Sequence, residues 1–332
     1  MRVPSWDTSL TPRDTIMATH HIAAVPETVR WGLFDASFPP LLTIESGDTV
    51  TLECVSGGPD MMPPAGSGLS VPSALAAIHA AIPRAPGHII TGPVAMAGAE
   101  PGDMLEVRID KIELGNDWGF CGFRPLAGTL PEDFHERFLL HIPVDRAAQT
   151  CTLPWGTELA LKPFFGVMGV APPVEWGTIS TVQPRAHGGN LDNKELSEGS
   201  TLFLPVWAEG ALFSAGDGHG VQGDGEVCIN ALEICLTGTF TLVLHKGSRT
   251  APLLTQPRAE TATHFITMGL NEDLDQAMKQ ALREMIGFIT ARTNLSREQA
   301  YAFCSLAVDF HVTQTVNGEK GVHGLLKKGL LF

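Results

Sequence analysis

The chain has 332 residues, 44% of them hydrophobic, and a formal charge of −14 at pH 7. That length suits one large domain or two medium ones with a substantial core. An acidic chain whose only compact basic patch is Lys327-Lys328 excludes a nucleic-acid-binding role, which needs clustered cations. No apolar run is long enough to span a bilayer, and the amino terminus M-R-V-P-S-W-D-T-S-L-T-P lacks the apolar core of a signal peptide, so a cytoplasmic protein is expected.

The 35 glycines and 24 prolines are spread along the chain, which points to many short strands and few long helices. Trp31-Gly32-Leu33-Phe34-Asp35 reads as core and tight packing. Ser46-Gly47-Asp48-Thr49-Val50 places a Gly-polar pair before residues of strand character, where a chain turns into a β-strand; Pro101 to Leu105 and Glu198 to Leu202 repeat the device. Between the first two, Gly57 to Gly68 is a Gly- and Pro-rich loop, and Ser73 to Ile82 is a short helix ended by Pro83. Gly87-His88-Ile89-Ile90-Thr91-Gly92-Pro93 is a glycine-bounded polar cluster.

Pro163 to Pro172 is aromatic and Gly-rich; Phe164, Phe165 and Met168 belong either to the core or to the wall of an apolar pocket. His187-Gly188-Gly189-Asn190-Leu191-Asp192-Asn193 is a second polar cluster, followed by a strand over Leu202 to Val206. The densest cluster is Ala215 to Glu226, A-G-D-G-H-G-V-Q-G-D-G-E, read as a loop hanging from strands at Leu202–Val206 and Val227–Leu236. If that segment is extended, Asp217 and His219 project to one side and converge on a divalent metal, with Glu226 placed as a base. The competing reading is a Gly-Asp hairpin turn. An EF-hand counted from Asp217 fails, because Val221 and Cys228 fall on ligand positions.

Asn271 to Thr293 is the strongest helix, with Asn271 as N-cap, acidic residues in its first turn and apolar Leu274, Met278, Ala281, Leu282, Met285 and Ile289 along one stripe. Ser296-Arg297-Glu298-Gln299 has the form of a capping box and opens a further helix toward Cys304. Leu306, Val308, Phe310 and Val312 then alternate with Ala307, Asp309, His311 and Thr313, a half-buried strand that projects Asp309 and His311 together, toward solvent or a site. The six cysteines, at 54, 121, 151, 228, 235 and 304, form no C-x-x-C pair and read as reduced thiols. The fold class expected is mainly β with α (α+β): a β-sandwich or barrel-like core with helices concentrated after residue 270.

Four motifs carry a resemblance over most of the chain, from about Thr19 to Lys328: H-I-I-T-G-P (His88 to Pro93), G-G-N-L-D (Gly188 to Asp192), L-P-V-W-A-E-G-A-L-F-S-A-G-D-G-H-G-V-Q-G-D-G-E (Leu204 to Glu226) and V-D-F-H-V-T-Q-T-V-N (Val308 to Asn317). The sequence resembles the acetamidase/formamidase family. The resemblance implies hydrolysis of a small linear amide to a carboxylate and ammonia on a largely β fold, with a divalent metal, zinc by preference, as cofactor. Carried onto this sequence, it makes Asp192, Asp217 and His219 metal contacts and Glu226 the acid/base, with His88, His187 and Asn190 orienting substrate.

The 57–68 segment lies outside the family pattern and reads as a lid or pocket wall. Cleavage of a cyclic, lactam-type amide is the alternative activity, and a noncatalytic metal-binding β-rich protein the alternative class. One catalytic unit is expected, with β-rich subdomains about 19–180 and 181–332, forming a homo-oligomer that binds neither nucleic acid nor membrane.

Overall fold

A computed structural model describes residues 17–331; residues 1–16, which carry the amino-terminal sequence read above, and Phe332 lie outside them. Four sheets and three α-helices make up the described fold. The largest sheet has nine strands, in spatial order Thr19–Ile22, Thr49–Cys54, Leu236–His245, Met104–Leu114, Thr201–Pro205, Arg258–Glu260, His264–Asn271, Lys320–Lys327 and Val308–Gln314. All neighbours pair antiparallel except the first two. A six-stranded sheet orders Gly188–Asn190, Phe164–Gly169, Phe213–His219, Ile89–Met96 and Val29–Trp31, with Leu42–Ile44 also pairing the Ile89–Met96 strand. Both sheets draw strands from before and after residue 180.

The two sheets share one core. Val50, Leu52, Leu105, Val107, Leu204 and Leu242 from the larger meet Ile44, Val94, Phe165, Met168 and Phe213 from the smaller. Phe240 joins them, its ring 5.4 Å from Phe165 and 5.6 Å from Phe213. The sheets therefore form a sandwich, and neither closes into a barrel. Phe164, Phe165 and Met168 are fully buried core residues. All three Gly-polar turns lead directly into strands, at Thr49, Met104 and Thr201.

The helices are α1 (Ser73–Ala81), α2 (Leu274–Arg292) and α3 (Arg297–Ala307). Helix α1 stops before Ile82-Pro83, because a residue preceding proline avoids helical backbone angles. Ser296 and Gln299 cap α3 reciprocally. Met285, Phe288 and Ile289 of α2 pack with Ala300 and Cys304 of α3 against Val308 and Leu326 of the large sheet. No helix of the described residues is long and apolar enough to cross a membrane.

Three details differ from the sequence reading. The N-cap of α2 is Asp273, whose carboxylate accepts from the Gln276 amide at 3.0 Å, while Asn271 is still in a strand. A bulge between Val312 and Gln314 breaks the late alternation, burying Thr313 and Gln314 together, and Leu306 is an exposed residue of α3. Most consequentially, Phe213–His219 is itself a strand, buried along its whole length, and Val227–Leu236 is irregular, with the next strand beginning only at Leu236. The glycines here serve contact rather than turning: a Cβ on Gly216 would sit 2.3 Å from the Ile89 carbonyl oxygen, and one on Gly218 2.3 Å from that of Ile234.

Candidate active site

Three neighbouring strands of the six-stranded sheet bring the polar clusters together. Asn190 lies opposite Val167, and Gly166 falls opposite Asp217 between the pairs Phe165–Gly218 and Val167–Gly216. The Asp192 amide closes onto the Gly166 carbonyl at 3.1 Å. His88 immediately precedes the strand that flanks Phe213–His219 on its other side. A side chain at position 166 is ruled out by the site itself, since a Cβ there would lie 2.6 Å from both Asp192 Oδ1 and Asp217 Oδ2.

Asp217 and His219 do project together, with His219 Nε2 3.3 Å from Asp217 Oδ2. The same nitrogen lies 4.0 Å from Asp192 Oδ1 and 3.4 Å from Glu233 Oε1, and His88 Nε2 approaches Asp217 Oδ2 to 3.6 Å. One potential ligand atom from each of Asp192, His219 and Glu226 lies within 4.8 Å of the others, and the same holds for Asp217, His219 and Glu233. Asn317 donates to Asp192 Oδ2. Asp192, Asp217 and Glu226 also adopt left-handed backbone, at φ 47°, 57° and 45°. Such conformations are uncommon outside glycine and concentrate where a structure holds functional groups in place.

Four carboxylates and one fully buried imidazole thus share a small volume. Burial raises Asp192, with the Glu226 charge pushing the same way, and burial likewise raises Glu233 well above the ordinary range. Burial takes Glu226 up to about 7 against the pull of His219. For Asp217, burial acts upward but His88 and His219 outweigh it and hold the carboxyl low. Burial alone would lower His219, and the Glu233 and Asp217 carboxylates instead raise it well above the usual imidazole value.

These shifts follow from burying several carboxylates beside one imidazole, where the neutral form of a carboxyl is favoured. Asp192 Oδ1, His219 Nε2 and Glu226 Oε2 are buried with no hydrogen-bond partner among the described residues. A divalent ion fits that deficit of charge and of partners, and its binding would release the protons. A second group, Asp224, His311 and His323, is already neutralised by Lys194, whose ammonium lies 2.9 Å from Asp224 Oδ2.

Above the cluster opens a cavity of about 540 Å³. Its floor carries Asp217, Glu226, Glu233, Asn190, His88 and Asn317, and its walls include Trp31, Phe120, Ile229 and residues of the 57–68 segment. Asn190 Nδ2 donates to the Val182 carbonyl at 3.2 Å, which leaves Oδ1 buried and without a partner. His187 stands apart: it is fully buried, edge-on to Phe34 at 5.0 Å, absent from the cavity lining and held low, to about 3, by burial and by Arg185. Asp309 is exposed, and His311 turns to Asp224 at 3.0 Å.

Comparison with known proteins follows the same lines. The profile of the Acetamidase/Formamidase family matches residues 27–178 and 173–322. The chain belongs to that family. It is 28% identical over 262 residues to an acetamidase of Mycolicibacterium smegmatis and 29% identical over 191 residues to a formamidase of Methylophilus methylotrophus. Those matches cover 61% and 42% of this chain and span 62% and 47% of the two relatives. The structure of an acetamidase from Bacillus halodurans superposes with a TM-score of 0.79 at 33% identity, covering 92% of this chain and 97% of the other. An acetamidase structure from Yersinia enterocolitica gives 0.83 at 26%, covering 96% and 94%. A γ-lactamase from Delftia acidovorans shares the fold, at a TM-score of 0.62 and 22% identity, covering 95% and 93%.

Within this family member, sequence reasoning missed two residues of the cluster. Glu233 is a lone acid in the apolar run Ala231 to Leu236, which reads as an outward-facing position on a strand; that isolation was its one signal. Gly166 was grouped with core aromatics, and nothing in its own neighbourhood marks it as the floor of the site.

Proposed function

We propose that the protein hydrolyses the carbon–nitrogen bond of a primary amide, adding water to give a carboxylate and ammonia. The observation that carries this reading is the convergence of Asp192, Asp217, His219, Glu226 and Glu233, with unpartnered buried atoms among them, beneath a cavity in a member of an amidase family. Asp192, Asp217, His219 and Glu233 would hold a divalent metal, which when bound supplies Lewis-acid polarisation of the carbonyl and a more acidic water. Zinc is our first choice for an imidazole set among carboxylates.

Glu226 lines the cavity and has a buried free oxygen, which supports a role in taking the proton of the attacking water and delivering it to the departing nitrogen. The unpartnered Oδ1 of Asn190 supports a role as acceptor from the substrate NH₂, and His88, which also lines the cavity, would help to orient the substrate. Ammonia release from acetamide and formamide, before and after chelation and after return of zinc, manganese or calcium, tests the reading. Undiminished turnover in metal-free protein would refute the metal's role, and no release from any short amide would refute the activity.

We further propose self-association and a cytoplasmic location. Leu126, Leu130, Phe134 and Phe138 are exposed within one stretch, and all six cysteines are unpaired, with Cys121 and Cys228 Sγ 3.6 Å apart. Sedimentation showing only monomer would overturn the first.

A further inference from the structure

We propose that the preferred substrate is an amic acid: a primary amide whose acyl chain is apolar in its middle and ends in a carboxylate held by Arg124. This deepens the amidase reading and rests on it. The first ground is size. A cavity of about 540 Å³ falls in the range of sites that enclose sizeable organic ligands, far more than formamide or acetamide would fill.

The second ground is the mix of chemistry in the cavity lining. Asp217, Glu226 and Glu233 make the floor acidic; Trp31, Val55, Ile89, Phe120 and Val182 give apolar walls; Arg84 and Arg124 also line it. Gly57, Gly58 and Met61 of the 57–68 segment, which falls within the residues that the family profile matches, help to build this region. Its single 3₁₀ turn, Pro59–Met61, presents Asp60 to two guanidinium groups, Arg84, which hydrogen-bonds Oδ1, and Arg137, 3.2 Å from Oδ2. Arg137 also donates to the Asp60 carbonyl, and the His141 ring meets the Met61 carbonyl at 2.9 Å, so the wall is fixed on both sides.

Asp60 is thereby shared, and Arg124 is left over. Arg124 lines the cavity as an exposed residue, and its side chain has no ion-pair or hydrogen-bond partner among the described residues. Arg84 and Arg124 thus bring positive charge to the cavity lining, on a chain whose formal charge is −14. On so acidic a protein the general field repels anions, and a local cationic patch in a cleft reverses that for a ligand carrying negative charge. A guanidinium matches a carboxylate with two parallel hydrogen bonds, which fixes the far end of the chain while the amide lies over the acidic floor.

The test compares succinamate, glutaramate and adipamate with the neutral amides of equal length, butyramide, valeramide and hexanamide, on the metal-loaded wild type and on Arg124→Ala and Arg124→Lys. Expected is a kcat/KM advantage of about tenfold or more for the amic acid at the best length, as for a hydrogen bond to a charged group. The advantage should shrink with added salt, fall to near one in Arg124→Ala and persist in part in Arg124→Lys. A ratio near or below one at every length in the wild type, or a ratio unmoved by Arg124→Ala, overturns the proposal. Acetamide turnover in the same assay reports separately on the amidase reading. Should no amide turn over, calorimetric titration of each pair decides, and binding of the amic acid that is absent, or equal in wild type and Arg124→Ala, overturns the proposal.

Discussion

The two large sheets use burial in opposite ways. In the nine-stranded sheet, Thr49–Cys54 and much of Leu236–His245 alternate between buried and partly exposed residues, the pattern of a sheet with one face on the core. In the six-stranded sheet, Ile89–Met96, Phe164–Gly169 and Phe213–His219 are buried at every position. The segment that delivers Glu233 pairs with the end of Phe213–His219, the Ile234 amide donating to the Gly218 carbonyl at 2.7 Å. The first sheet gains its stability from apolar area; the second accepts buried carboxylates and left-handed backbone at Asp192 and Asp217, both unfavourable unless the site is filled.

Removing the proposed proton carrier, Glu226, from the second sheet's cluster is the strongest way to sharpen that contrast. Glu226→Gln keeps size and most hydrogen bonding while removing proton transfer, so kcat for amide hydrolysis should fall by roughly 100- to 10,000-fold with metal content and thermal midpoint near wild type. Asp217→Asn and His219→Ala should instead lower metal occupancy and activity together, read by elemental analysis beside the ammonia assay. Wild-type turnover in Glu226→Gln would remove this carboxylate from the mechanism and make Glu233, the other glutamate lining the cavity, the next residue to test.

Glycine offers a paired experiment across the two sheets. Gly166→Ala would push a methyl group to 2.6 Å from two site carboxylates, and displacement on that scale predicts a loss of about 100-fold in kcat/KM with little loss of helix signal. Gly269 lies in the large sheet, where a Cβ would come within 1.9 Å of the Ala277 carbonyl of α2. Gly269→Ala should therefore cost about 1–3 kcal/mol in denaturant unfolding while leaving kcat close to wild type in the protein that remains folded. If both variants lost stability equally and kept activity, the division of labour between the sheets would be wrong.

How much of this could be read from the sequence follows the same division. Regular structure was legible wherever local chemistry determines it, as with the Gly-Asp turns before Thr49 and Met104, the Ser296 capping box and the apolar stripe of α2. The spacing of Asp217 and His219 already implied that they project together, and the fold puts them 3.3 Å from one another. His88, Asn190 and Asp192 were marked by glycine-bounded clusters and by resemblance, not by any spacing between them. Glu233 escaped because its role depends on the irregular path of residues 227–235, which local patterning reads as a strand. The bulge near Thr313 escaped for a related reason, since the alternation is set by pairing with Lys320–Lys327 and not by the strand itself. His187 shows the converse: its glycine neighbours suggested a site, and the fold spends it on packing against Phe34.

The smallest predicted effect belongs to the large sheet and concerns pH. Asp48 and Asp103 end the two Gly-Asp turns and are both buried. Each carboxylate accepts from the amide three residues earlier, Glu45 at 3.1 Å and Glu100 at 2.8 Å. Asp103 also accepts from Lys246 Nζ at 2.6 Å and from the Gly247 amide at 2.8 Å. Burial would raise Asp103, but the Lys246 bond and the two amides outweigh it, so its folded pKa lies below the unfolded one. A depressed carboxylate pKa contributes stability that is present above the unfolded value, near 4, and is lost as pH falls through the folded value. Asp103→Asn removes that contribution, so at pH 7 the variant should be less stable by about 1–3 kcal/mol, the scale of hydrogen bonds to a charged group. The gap to wild type should narrow as both are titrated below pH 4, because a protonated Asp103 then resembles Asn. Amidase activity of the folded fraction should stay near wild type throughout, since this turn lies at the start of a strand of the other sheet. A gap that widens toward acid would show that the turn's contribution is packing and not charge.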